Sequence, residues 1–300
     1  MRLFILLGAL LAGACCASLP RLPPKSVRFP APRAERDQVP ERSEIWHDAK
    51  RNRDVPVKIY GDSGPVVVFS HGIGEDRESY AYLGRALARA GFMAVHVTHA
   101  GTDRAVLERG YRRLYRAVKV KENWVNRPLD VSFVLDRLGA KEAAVVGHSA
   151  GAFTAFALAG MRMTDGTLRD ARIKVAVPMS MPRLDGVVPP GGYEAIEIPL
   201  LNMTGTCDTS LIYRTFPKHR RIPFESTHAA RQYLVTLDGA NHNSFVVDDP
   251  RNAQIAAITI AFLRAWMLND APARAWFDDP GMDTIDGVRI WVERKGAGAR

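Results

Sequence analysis

From residue 45 onward the chain alternates short apolar runs with stretches whose apolar residues recur three and four positions apart. Residues 55–60 alternate apolar and polar side chains, which predicts a strand with one buried face. Val66, Val67, Val68 and Phe69 are continuously apolar and run into His71-Gly72, the pattern of a strand buried on both faces of a parallel sheet. Tyr80, Leu83, Leu87 and Ala90 then recur at helical spacing, and Gly91 ends that helix. The same reading predicts strands at 92–97, 143–146, 175–177, 200–203 and 233–235. It predicts helices at 104–118, 125–138, 150–158 and 253–268. Strands alternating with helices imply an α/β fold: a mostly parallel central sheet with helices on both faces. Residues 45–270 would form one domain and 271–300 a C-terminal tail, in which Val288, Ile290 and Val292 alternate like a late edge strand.

The first 44 residues follow neither period. Arg2 precedes an apolar run from Leu3 to Ala14, and small residues follow it, so residues 1–17 read as an export signal. The run is short for a membrane span. Ala12-Gly13-Ala14-Cys15 resembles a bacterial lipobox, with Ala12 where Leu is usual. Two outcomes stay open: a lipid on Cys15 that attaches the chain to a membrane, or cleavage after Ala17. Either way the expected location is outside the cytoplasm, as a periplasmic, membrane-anchored or secreted protein. Residues 18–44 hold Pro20, Pro23, Pro24, Pro30, Pro32 and Pro40 and read as an extended tether. With Cys15 and Cys16 in the cleavage zone, Cys207 is expected to be a lone thiol.

Composition narrows the class. At 300 residues, 47% hydrophobic and 24% charged, the chain is long and apolar enough for a sizeable core, which excludes a disordered or disulfide-stapled protein. The net charge is +9, and residues 1–53 hold ten Lys/Arg against five Asp/Glu. The remaining surplus reads as a mildly basic solvated surface, and no nucleic-acid partner is expected.

The chemistry concentrates at Gly147-His148-Ser149-Ala150-Gly151, between a strand and an apolar helix. A serine on so sharp a turn needs small neighbours, which Gly147 and Gly151 supply, and it sits at the positive end of the next helix. A serine hydrolase needs two backbone N–H donors for the oxyanion. Ala150, after the nucleophile, is one candidate. Ile73, in the loop Ser70-His71-Gly72-Ile73-Gly74, is the other. The base must follow the last strand, which selects His242. The orienting acid must lie between Ser149 and His242, where Asp208 follows the strand at 200–203 and Asp185 is the competitor. Asp208 is preferred because its link to the strand is short and free of proline. No His-rich metal cluster and no phosphate-cradling glycine loop is present, so neither a metal nor a cofactor is expected.

On these residues the chain resembles the α/β-hydrolase superfamily, and more narrowly bacterial dienelactone-hydrolase-like and platelet-activating-factor-acetylhydrolase-like serine esterases. The likeness covers residues 55–265. Its motifs are the 69–74 loop, Gly91-Phe92, Arg127-Pro128-Leu129-Asp130-Val131, the 147–151 turn and Asn241-His242-Asn243-Ser244-Phe245. True dienelactone hydrolases use a cysteine nucleophile, so lactone specificity does not carry over to Ser149. The acetylhydrolase acid would fall near Pro178, where this chain has no carboxylate. The resemblance implies a small ester as substrate. An amidase or polyester depolymerase, or a non-catalytic lipid-anchored binding protein, are the alternative readings. Residues 209–230, with Leu211, Tyr213, Phe216 and Phe224, are expected near the pocket mouth.

Overall fold

The computed structural model describes residues 17, 21–32, 38–211, 214–228, 230–246 and 248–295. Residues 1–16 of the signal segment, with the lipobox cysteine, and Tyr213 lie outside the described residues. Strands β1 (Glu41–Asp48) and β2 (Arg53–Tyr60) form an antiparallel pair. β3 (Val66–Ser70), helix α1 (Ala81–Arg89) and β4 (Met93–Val97) follow. Next come α2 (Arg104–Glu108), α3 (Tyr111–Ala117), α4 (Lys121–Leu138), β5 (Ala143–His148) and α5 (Ala150–Ala159). A two-residue hairpin, β6 (Arg162–Met163) and β7 (Gly166–Thr167), precedes β8 (Ile173–Met179) and β9 (Leu200–Cys207). The chain ends with α6 (Ile222–Ser226), β10 (Gln232–Asn241), α7 (Asn252–Met267), α8 (Ala271–Asp278), β11 (Gly281–Ile285) and β12 (Val288–Lys295).

The sheet order is β1-β2-β4-β3-β5-β8-β9-β10-β12-β11. β4, β3, β5, β8, β9 and β10 run parallel, and antiparallel hairpins close both edges. The continuous apolar runs are explained by the two cores. In β3, Val67 and Phe69 enter the core under α1, α7 and α8, while Val66 and Val68 enter the core under α4 and α5. Ala144 and Val146 of β5 divide from Ala143 and Val145 in the same way. Successive side chains point to opposite faces, so a strand covered on both must be apolar throughout.

Four expectations change. The helix predicted over 104–118 is two helices, because Gly110 adopts φ 108 between them. The predicted tail at 271–300 is, through residue 295, part of the fold. α8 buries Trp276 and Phe277, and β12 pairs with β10, so the late strand lies one place inside the edge strand β11. The proline-rich stretch is also docked in part. Lys25 N–H donates to the Met282 carbonyl and Met282 N–H to the Pro23 carbonyl, at 2.9 and 2.8 Å. Phe29 meets Trp276 edge to face, and the ordered strand β1 already begins at Glu41. Finally, Cys207 is disulfide-bonded rather than a lone thiol; its partner lies outside the described residues. No helix among the described residues is long and apolar enough to cross a membrane.

Candidate active site

β5 delivers the chain to Ser149, which takes φ 55 and ψ −116 before α5 begins at Ala150. Such a backbone costs of order 1–3 kcal/mol and survives only where its surroundings enforce it. The two glycines are required by contact. A Cβ on Gly147 would lie 2.1 Å from the Gly151 carbonyl oxygen, and one on Gly151 would lie 1.8 Å from the Ser70 carbonyl oxygen. The second contact packs the turn directly on the end of β3, where the 70–74 loop begins.

The structure brings Ser149, His242 and Asp208 together at the carboxyl ends of β5, β10 and β9. Ser149 Oγ lies 3.1 Å from His242 Nε2, and His242 Nδ1 lies 3.0 Å from Asp208 Oδ1. His242 opens a short 3₁₀ turn capped by Asn241, whose side chain accepts from Asn243 and Ser244 N–H. The imidazole is 17% exposed, and Asp208 is fully buried. Asp185 is not part of this cluster: its side chain is 73% exposed and pairs with Arg183 at 2.7 Å.

One residue of the site was not foreseen. Arg220, buried in the segment between β9 and β10, places Nη2 2.9 Å from Asp208 Oδ1 and 3.1 Å from His242 Nδ1. Its Nη1 donates to the Ser180 and Met181 carbonyls, at 2.8 and 2.6 Å. Ser180 Oγ and Thr204 Oγ1 donate to Asp208 Oδ2 at 2.5 and 2.8 Å. Burial opposes ionisation of Asp208, yet Arg220, His242 and Ser180 together hold its carboxyl well below the usual carboxylate range. His242 is pushed down, first by burial and further by the Arg220 charge, against the pull of Asp208. In the sequence, Lys218-His219-Arg220-Arg221 reads as a solvated polar run, and nothing local distinguishes the one arginine that turns inward.

The other candidate donors flank the nucleophile. Ala150 is the first residue of α5, and Gly72 approaches so closely that a Cβ there would lie 3.5 Å from Ser149 Cβ. Ile73 follows directly. Beneath this loop lies a second buried polar network. Asp130 accepts from Arg51 at 2.8 Å and from Arg53 at 2.9 Å, and lies 3.0 Å from His99 Nδ1. His99 Nε2 is 2.9 Å from Ser70 Oγ. Arg127, also buried, bonds the His71 carbonyl and donates to Thr102 Oγ1 at 2.7 Å. His71 is buried within this network, and burial keeps it neutral. A cavity of about 300 Å³ lies beyond Met181, walled by Leu184, Tyr193, His219 and Ile222; neither Ser149 nor His242 lines it. No group of metal-ligating side chains occurs among the described residues.

Comparison with known proteins bears on the fold. The family described as the α/β hydrolase fold matches residues 65–174. Epoxide hydrolase B of Mycobacterium tuberculosis is 38% identical over 96 residues, 32% of this chain and 25% of that protein. The chain thus spans about a quarter of the length of the curated relatives that it matches. A solved structure described as a CIB-like hydrolase from Thermoplasma acidophilum superposes with a TM-score of 0.52 at 12% identity, over 76% of this chain and 100% of that one. One described as a dipeptidyl aminopeptidase IV from Bacteroides ovatus superposes with a TM-score of 0.56 at 12% identity, over 76% of this chain and 36% of that one. With the parallel sheet and its strand–turn–helix at residues 143–159, these matches establish that the chain has the α/β-hydrolase fold.

Proposed function

We propose that the chain is an exported serine hydrolase of carboxylic esters, with Ser149 as nucleophile, His242 as general base and Asp208 as the acid that orients it. The observation that carries this reading is the chain of contacts Ser149 Oγ–His242 Nε2–His242 Nδ1–Asp208 Oδ1, at 3.1 and 3.0 Å. In the first step Ser149 Oγ attacks the ester carbonyl while its proton passes to His242 Nε2. The tetrahedral oxyanion faces the N–H groups of Ile73 and Ala150. Collapse expels the alcohol, which takes the proton from His242 and leaves an acyl-serine. Water activated by His242 then releases the acid and restores the serine. Asp208 fixes the Nδ1–H tautomer and stabilises the imidazolium that forms in both steps.

The likeness to epoxide hydrolase B raises epoxide opening as a second reading. The nucleophile argues against it. A serine that opens an epoxide leaves an ether, which a His-activated water cannot cleave, whereas an acyl-serine turns over. The narrower likeness to dienelactone-hydrolase-like and acetylhydrolase-like esterases rests on the motifs around residues 69–74 and 241–245 and specifies no acyl chain.

The test is labelling with a fluorophosphonate probe, combined with p-nitrophenyl esters of increasing chain length. Ser149 should be the labelled residue, and Ser149→Ala should abolish turnover with the circular dichroism spectrum unchanged. Turnover near wild type in that variant would overturn the mechanism.

A further inference from the structure

The segment between β4 and α4 collects the basic charge that the sequence reading had spread over the whole surface. Residues 109–121 contain Arg109, Arg112, Arg113, Arg116, Lys119 and Lys121 and not one carboxylate. All six are exposed. Elsewhere several exposed arginines meet carboxylates, as in Arg42–Glu44, Arg85–Glu41 and Arg104–Asp76. Among the described residues none of the four arginines of this segment is ion-paired; only Lys121 meets a carboxylate, Asp165 at 2.9 Å. Between the charges stand two exposed rings, Tyr111 at 50% and Tyr115 at 58%, with Lys119 over the Tyr115 ring. Val120 is exposed as well.

Its position gives this surface a direction. Leu107 and Leu114 pack against Gly74, so α2 and α3 cover the outer end of the loop that holds Ile73. The segment therefore lies at the carboxyl end of the sheet, the end that carries Ser149. Ala17, the described residue next to the apolar N-terminal segment, donates its N–H to the Thr206 carbonyl near the carboxyl end of β9. In the sheet order, β4 and β9 stand on opposite sides of β5, the strand that ends at the nucleophile. The basic, tyrosine-bearing surface and Ala17 thus lie on either side of Ser149 at one end of the molecule.

We propose that residues 109–121 form a docking surface for an anionic lipid bilayer, which brings the Ser149 end of the sheet to face the membrane. Arginines with no ion pair among the described residues supply attraction to acidic headgroups, and Tyr115 and Val120 supply amphipathic contact at headgroup depth. A nucleic acid would use the charge but not the exposed aliphatic side chain of Val120. The choice of partner draws on the reading of residues 1–17 as an export and attachment signal. The surface itself does not depend on Ser149 being catalytic.

The experiment is sedimentation of the full chain with neutral phosphatidylcholine vesicles and with vesicles containing roughly one-third phosphatidylglycerol. Wild type should partition more strongly onto the anionic vesicles, and high salt should remove the difference. Arg112→Gln/Arg113→Gln/Arg116→Gln should lower anionic partitioning by roughly fivefold per charge, about a hundredfold in all. Its hydrolysis of a soluble ester should stay at the wild-type level, which certifies the fold. Arg89→Gln/Arg137→Gln/Lys174→Gln removes equal charge from the opposite end of the sheet and should leave partitioning unchanged. Equal losses in both triple variants would reduce the effect to net charge and overturn the proposal. So would tighter binding to a single-stranded oligonucleotide than to the vesicles, or no preference for the anionic surface. Ser149→Ala should bind as wild type does, so failure of the esterase reading and failure of this one are told apart.

Discussion

Replacing Asp208 by asparagine removes one charge from a point where four donors converge. Ser180 and Thr204 donate to one carboxylate oxygen, and His242 and Arg220 approach the other, all between 2.5 and 3.0 Å. An amide offers one acceptor oxygen and two donor hydrogens, so it cannot satisfy this set. Two losses follow. The first is catalytic: without the carboxylate, the Nδ1–H tautomer and the imidazolium of His242 lose their support, and turnover should fall by up to about 10⁴. The second is structural. Arg220 is fully buried against Asp208, and breaking a buried pair by removing one partner costs about 3–5 kcal/mol. In a domain of this size that corresponds to a fall in Tm of roughly 6–20 °C.

The assay is kcat/KM on a p-nitrophenyl ester, with thermal unfolding on the same preparations. The pH dependence supplies an internal check. The folded-state carboxyl titrates below its unfolded value, so its contribution to stability is present above the unfolded pKa and is lost progressively as pH falls below about 4. The Tm gap between wild type and Asp208→Asn should therefore narrow on acidification. Asp185→Asn should change neither activity nor Tm, since that side chain is exposed. Activity of Asp208→Asn within tenfold of wild type, or an equal loss in Asp185→Asn, would refute the assignment.

Gly151→Ala should lower kcat/KM by about a hundredfold and destabilise the fold by about 1–3 kcal/mol. Its Cβ would lie 1.8 Å from the Ser70 carbonyl oxygen and must push the 70–74 loop away from Ser149; wild-type kinetics would show that the loop can yield. Arg220→Met should move the acid limb of the kcat/KM profile to higher pH, because the imidazolium of His242 no longer forms beside a guanidinium 3.1 Å away. A lowered rate with an unmoved limb would reduce Arg220 to a structural tie.

The parallel strands were legible because burial on both faces leaves no room for polar residues. β3 and β5 announce themselves as apolar runs, and each was located to within two residues. The turn at Ser149 was legible because its backbone excludes side chains at two flanking positions. What escaped was whatever depends on distant partners. β1 and β11 are largely half-exposed edge strands with little apolar signal, and their identity comes from pairing. The docking of residues 23–29 depends on contacts with residues of α8 and β11, about 250 residues later. Arg220 sits in a run of four basic residues, and only the tertiary fold selects the one that enters the site. The six cations of 109–121 were visible in the sequence, but that among the described residues only Lys121 of the six meets a carboxylate was not.

The two buried arginines act on opposite sides of Ser149, and the second explains how a flexible glycine loop can present a fixed N–H. In a trans peptide the C=O and N–H point in opposite directions, so holding one aims the other. The 71–72 peptide is held at both edges: its carbonyl accepts from Arg127, and its N–H faces Tyr80 Oη at 3.3 Å. In the 72–73 peptide the Gly72 carbonyl accepts from His71 Nδ1 at 2.6 Å, which turns the Ile73 N–H to the other side. The next N–H, of Gly74, donates to the Thr102 carbonyl at 2.8 Å, and Arg127 also holds the Thr102 hydroxyl. His71 can play this part only as the neutral Nδ1–H tautomer, because its Nε2 must accept from the His99 N–H at 2.9 Å. Burial and the nearby Arg127 charge, which depress its pKa, therefore stabilise the same form that the loop geometry needs. Gly72 gives the chain the freedom to make the turn, and His71 and Arg127 remove that freedom once it is made. The proposed donor is thereby oriented before any substrate arrives, which is the condition for a backbone N–H to stabilise an oxyanion without reorganising during the reaction.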